Sequence, residues 1–235
     1  SSMKSVVPIF DKYDQLVPEE IQRLDSNNNH HIYEADSLCL EFNNELILSD
    51  LSFNIERKDK VLIQGVSGSG KSSLVKLLLG YYRNYNGVLK YKEKDIKNVS
   101  SKLITQQVVY LSQDTYLFQG TVRENIELGD FFTQKQLVET LDKVGLNPEL
   151  FLDITIKTLS GGQRQKVALA RALIRRPEVL ICDEITSSLD KESSILIENL
   201  LLSLSELTVI MITHKLYSQE EKFNKKIQLS HNSNV

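Results

Sequence analysis

Gly65-Val66-Ser67-Gly68-Ser69-Gly70-Lys71-Ser72-Ser73 has the residue types and spacing of a loop that holds phosphate, G-x-x-x-x-G-K-[ST]. Gly65, Gly68 and Gly70 let the backbone bend until several N–H groups converge on one anion. A helix starting at the end of the loop aims its positive dipole end at the same point. Lys71 is a point charge for β- and γ-phosphates, and the Ser72 hydroxyl can ligate Mg²⁺. The candidate phosphate contacts are therefore Gly65, Ser67, Gly68, Ser69, Gly70, Lys71, Ser72 and Ser73.

Two further groups have chemistry of their own. Val179-Leu180-Ile181-Cys182-Asp183-Glu184 is an apolar run that ends in two carboxylates. Open α/β sheets bind ligands at the carboxyl ends of their strands. Asp183 suits Mg²⁺, directly or through water. Glu184 is the candidate to orient or deprotonate an attacking water, help worth about 10²–10⁴-fold. Leu159-Ser160-Gly161-Gly162-Gln163 stands before a long helical pattern. Ser160 can cap that helix, and Gly161 and Gly162 let another anion approach its amino end.

These residues need a frame to hold them. Residues 60–64 read as a buried strand entering the phosphate loop, and residues 74–79 as the helix leaving it. Further strands are expected over residues 38–42, 46–48, 51–55, 87–91, 108–112, 178–182 and 208–213. Residues 113–118 form a loop. Helices are expected over residues 133–144, stopped by Gly145, over 162–176, ended by Pro177, and over about 191–203. Strands alternating with helices imply an α/β fold, a mostly parallel sheet covered on both sides. The short strands ahead of the loop make a small β layer. Residues 25–31 read as a polar linker, with His30 and His31 as solvated loop histidines rather than metal ligands. The basic and acidic residues of Lys90–Lys97 read as a solvated face.

LSGGQ, lying between the phosphate loop and the Asp183-Glu184 strand, decides the family. The chain resembles the nucleotide-binding domain of the ABC ATPases from about residue 38 to residue 229. The resemblance implies a P-loop NTPase core with a mostly parallel sheet, a small antiparallel β layer and a helical subdomain at about 114–176. That domain would span 31–235, after a connector or linker over 1–30 in which Ser1-Ser2 reads as a tag remnant. By the same resemblance Gln113 is the Q-loop glutamine, touching Mg²⁺ or the water. Asp190 of Ser187-Ser188-Leu189-Asp190 belongs to a loop crossing a dimer interface. His214 is the switch histidine at the γ-phosphate. Phe42 takes the position of an adenine-stacking aromatic, with Tyr33 as the alternative.

The stretch from Gln113 to Ile126 resembles exporters of this family, as does the pattern from Asp183 to Asp190, and residues 4–24 resemble the connector after the last membrane helix of fused exporters. The segment before LSGGQ is shorter than in exporters and lacks their glutamate-bearing loop, and the part after His214 is short. The implied function is ATP binding and hydrolysis that powers a membrane exporter through an ATP-driven head-to-tail homodimer. Lys71, Ser72, Gln113, Asp183, Glu184 and His214 would act from one chain, and Ser160, Gly162, Gln163 and Asp190 from the other. The partner is a transmembrane domain on the same or a separate chain, at the cytoplasmic face of the cell membrane. The alternatives are the ATPase subunit of an importer, a non-transport ABC ATPase that clamps DNA or ribosomes, and a nucleotide sensor without turnover.

Bulk properties agree with this reading. The 235 residues can bury one good core. A net charge of −3 and a pI near 5.9 argue against a nucleic-acid-binding domain. No apolar run reaches the roughly 18 residues of a membrane span, and no signal peptide is expected. Cys39 and Cys182 have no metal-ligand or disulfide spacing, which fits a reducing cytosolic setting.

Overall fold

A long hairpin begins the folded part of the chain. β1 (His31–Phe42) and β2 (Glu45–Glu56) pair antiparallel. The turn between them, Asn43-Asn44, has φ of 52° and 63°. Asparagine tolerates such angles, and they match the right-handed twist of the strands. β4 (Asn86–Tyr91) pairs with the other edge of β1, and β5 (Lys94–Asp95) pairs with β4, giving the order β2-β1-β4-β5. The computed structural model describes residues 30–113, 116–217 and 220–230. The expected connector over 1–30, except His30, lies outside the described residues, as do Asp114 and Thr115 of the loop after Gln113.

The hairpin corrects two expectations. Three short strands were expected where two long ones stand. Register shifts between Ala35 and Leu38, Leu38 and Leu40, and Leu40 and Glu41 break the two-residue alternation that would have revealed them. His31 is a strand residue opposite Glu56, not part of a loop.

The second sheet has the order β6-β7-β8-β3-β9, with every pair parallel. Its strands are β3 (Lys60–Gly65), β6 (Val108–Leu111), β7 (Val179–Asp183), β8 (Thr208–Ile212) and β9 (Lys225–Leu229). The sequence pattern did not predict β9. It is an edge strand whose Ile227 and Leu229 alone are buried, and charged and polar residues interrupt them.

Seven helices among the described residues complete the fold. They are α1 (Lys71–Leu78), α2 (Ser101–Gln107), α3 (Val122–Glu127), α4 (Gln134–Lys143), α5 (Pro148–Phe151), α6 (Gly161–Leu173) and α7 (Lys191–Ser203). The sequence pattern did not predict α2 and α3, because six or seven residues show too little periodicity. Their starts are nonetheless capped, by Ser100 and by a Thr121–Glu124 capping box. α6 stops short of the expected Arg176, which has φ of 52° before Pro177.

The parallel sheet separates two cores, and alternate residues of its strands feed each. Val61, Ile63, Ile181 and Ile210 face the antiparallel sheet and α1, packing with Tyr33, Ile55, Leu74 and Tyr91. Leu62, Leu180, Cys182 and Met211 face the other way, against Ile126, Leu141, Leu169 and Ile197 of the helices.

The Lys90–Lys97 stretch is not simply a solvated face. Lys92 is 4% exposed, and its Nζ lies 2.7 Å from Glu178 Oε2. It also donates to Gln107 Oε1, and Arg57 pairs with the same glutamate. Buried Tyr91 and Ile96 draw Lys92 inward, so a local count of charges misreads it. The pair ties the antiparallel sheet to the start of β7. Lys92→Ala strips one of two partners from a mostly buried carboxylate and should cost about 1.5–3 kcal/mol in urea unfolding, the scale of a hydrogen bond to a charged group, because Arg57 still pairs with Glu178.

Candidate functional site

β3 ends at Gly65 and the chain turns through the phosphate loop into α1. Gly68 and Gly70 have φ of 82° and 88°, where an L side chain is strained. The loop is also pressed from outside. A Cβ on Gly70 would meet Leu48 Cδ2 at 2.7 Å and Ile47 O at 2.9 Å, both from β2. A Cβ on Gly65 would meet Leu229 O of β9 at 2.8 Å. Lys71 Nζ donates to Gly65 O at 2.8 Å and Val66 O at 2.9 Å, so the lysine spans its own loop. Ser69 Oγ is buried with no hydrogen-bond partner, close to the backbone at Gly65.

β7 brings the carboxylates to the same edge. Glu184 follows the strand with φ of 51°, and its N–H donates to Ile212 O at 2.9 Å. A non-glycine residue in that region costs about 1–3 kcal/mol and persists only where its surroundings hold it. His214 Nδ1, after the end of β8, lies 3.3 Å from Glu184 Oε1. On the other side of β7, Tyr110 Oη of β6 donates to Asp183 Oδ2 at 2.9 Å. Burial pushes the Asp183 carboxyl above the usual carboxylate value, and Tyr110's hydrogen bond and the Lys71 charge pull it partly back.

A cavity of about 530 Å³ gathers Ser67, Gly68, Gly70, Lys71, Ser72, Ser73, Gln113, Asp183 and Glu184. Ile47, Tyr110 and Ser112 line it too, and sequence reasoning missed them. For Tyr110 and Ser112 a signal existed: they precede Gln113 at the end of a strand that points into the site. Ser72, Gln113 and Asp183 offer hydroxyl, amide and carboxylate oxygens, a hard-donor set of the kind magnesium takes. Gly65 and Ser69 shape the loop without lining the cavity.

Several candidates stand elsewhere. Phe42 is 61% exposed at the tip of the hairpin that also carries Ile47. Tyr33, the alternative aromatic, is a core residue whose hydroxyl donates to Leu78 O at 3.0 Å, so it is unavailable for stacking. Ser160 caps α6: its hydroxyl accepts from Gln163 N, and Gln163 Oε1 accepts from Ser160 N at 2.9 Å. Gly161 and Gly162 sit against Leu189 and Ser193 at the start of α7. Asp190 caps α7 by accepting from Ser193 N at 2.9 Å, and that bond holds its carboxyl below the usual value. None of Ser160, Gly161, Gly162, Gln163 or Asp190 lines the cavity.

Residues 48–187 match a family model described as ABC transporter. The chain belongs to the ABC transporter family. It is an ATP-binding ATPase domain of that family. It is 32% identical over 226 residues to a putative export ATP-binding/permease protein of Rickettsia bellii, covering 84% of this chain and 38% of that protein. It is 36% identical over 181 residues to the transport/processing ATP-binding protein ComA of Streptococcus pneumoniae, covering 72% and 25%. Among solved structures, a bacterial Atm1-family ABC exporter with ATP bound matches with a TM-score of 0.70 at 28% identity, over 80% of this chain and 35% of that one. The chain thus spans well under half the length of each of these proteins.

Two outcomes follow from the geometry. Gly70→Ala adds a strained φ and a clash with β2, and should abolish binding of a fluorescent ATP analogue while far-UV circular dichroism stays native. Asp183 has a folded pKa above its unfolded one, so its ionised form destabilises the fold above that range. Asp183→Asn should therefore raise the urea midpoint at neutral pH, and the gain should fade as the pH falls through the raised pKa at which the folded wild-type carboxyl takes its proton.

Proposed function

We propose that this ABC domain hydrolyses ATP as the motor of a membrane exporter, acting as a head-to-tail homodimer with two nucleotides at the interface. One observation carries the reading. The cavity holds the phosphate loop, Gln113, Asp183 and Glu184, while the capped LSGGQ turn lies outside it on the same chain. A second copy would bring that turn, with its helix amino end, to the open side of the phosphates.

In this reading Lys71 and the loop N–H groups bind the phosphates, Ser67 and Ser73 line that cradle, and Ser69 shapes it. Ser72, Gln113 and Asp183 hold magnesium, which when bound neutralises phosphate charge. Glu184 orients the attacking water and His214 holds Glu184 on the γ-phosphate side. Ser160, Gly161, Gly162, Gln163 and Asp190 act from the partner copy. Phe42 stacks on adenine. Catalysis is mainly charge stabilisation and water positioning.

The export-type names of the relatives support an exporter over an importer. No helix among the described residues is long and apolar enough to cross a membrane. The proposed partner is a transmembrane domain on another part of the same chain or on a separate one, with this domain at the cytoplasmic face.

Glu184→Gln should keep ATP affinity, lower turnover by about 10²–10⁴-fold and accumulate dimer on size-exclusion chromatography. Unchanged turnover would remove Glu184 from this role. Mixing Lys71→Ala with Ser160→Arg chains should restore activity through one intact shared site, and no recovery at any ratio would count against sites shared between copies.

A further inference from the structure

The cavity contains a contact that the roles above do not use. Tyr110 leaves β6 opposite Ile181 and reaches along β7 to Asp183, where its Oη donates to Oδ2 at 2.9 Å. The ring is 39% exposed and forms part of the cavity wall. A carboxylate has two oxygens and can turn about its last bond. This hydrogen bond fixes that rotation and engages one oxygen, so Asp183 presents Oδ1 as its free donor.

The consequence for a cation follows from size and coordination. Calcium takes six to eight oxygens and accepts both oxygens of one carboxylate. Magnesium demands a tight octahedron, takes one carboxylate oxygen and keeps several waters. We propose that Tyr110 is a positioning residue that makes Asp183 a one-oxygen donor, and so favours magnesium over calcium at the nucleotide site. The inference rests on reading the cavity as a magnesium–nucleotide site. Tyr110 touches neither nucleotide nor reacting atoms in this role; it acts through Asp183.

The test needs no turnover. Binding of a fluorescent ATP analogue is titrated with magnesium chloride and separately with calcium chloride, using wild type and Tyr110→Phe. Phenylalanine keeps the ring and removes only the donor. Wild type should reach half-saturation at lower magnesium than calcium. Tyr110→Phe should narrow that preference about tenfold, the scale of one hydrogen bond to a charged group. Affinity without added metal should not change.

Any general weakening of the fold lowers binding with both cations alike and cancels in their ratio. Tyr85→Phe provides a control, because Tyr85 Oη lies 3.4 Å from Asp95 Oδ1 outside the cavity. It should leave the ratio unchanged. If wild type prefers magnesium and Tyr110→Phe keeps the same ratio, the role of Tyr110 is overturned and the site reading stands. If wild type shows no metal-dependent nucleotide binding, the site reading fails and this inference falls with it.

Discussion

Backbone crowding at the phosphate loop is the constraint on which the rest depends. Gly70 leaves no room for a side chain beside Ile47 and Leu48 of β2, and Gly65 leaves none beside Leu229 of β9. The loop is therefore clamped between the antiparallel sheet and the edge strand of the parallel one. A loop of glycines and serines in water would lose much conformational entropy on binding an anion. Here folding has already ordered the loop. Removing either clamp would leave the same sequence motif without a fixed shape.

The second requirement is a rigid edge opposite the loop. β7 is buried over Val179–Cys182, between β6 and β8, with a core on each face. It delivers Asp183 and Glu184 from a place that cannot move easily. Glu184 keeps a left-handed backbone because Ile212 O holds its N–H. Asp183 has a raised pKa because the same burial that fixes it also partly desolvates it. Rigidity and charge strain at this edge have one cause, the packing of the central strands. Tyr110 offsets part of that strain from the neighbouring strand.

The Ser160 turn follows a different logic. It is complete as a helix start, with a reciprocal cap, yet it sits against α7 rather than against the phosphate loop. Its hydrogen bonds are satisfied locally, while Ser160 and Gly161 stay exposed on the side away from α7. A feature finished on one side and open on the other suits an encounter between copies, and that is why the proposed dimer rests on it.

Short-range chemistry in the sequence was enough for the phosphate loop, the Asp183-Glu184 pair, the LSGGQ turn and the central strands. Each depends on residues adjacent in the chain: glycines for bends, apolar runs for strands buried on both faces, a hydroxyl ahead of a helix. What spans the chain needed the tertiary structure. The bulged hairpin hid its alternation, the edge strand β9 gave too weak an apolar signal, and the short helices α2 and α3 had too few turns to show a period. Lys92 looked solvated until Glu178, far along the chain, came to meet it. Tyr33 looked like a possible stacking ring until packing buried it. Tyr110 and Asp183 lie 73 positions apart, and only the pairing of β6 with β7 brings them together. A sequence records which groups can act; which of them meet is settled by strand order and by the burial that strand order imposes.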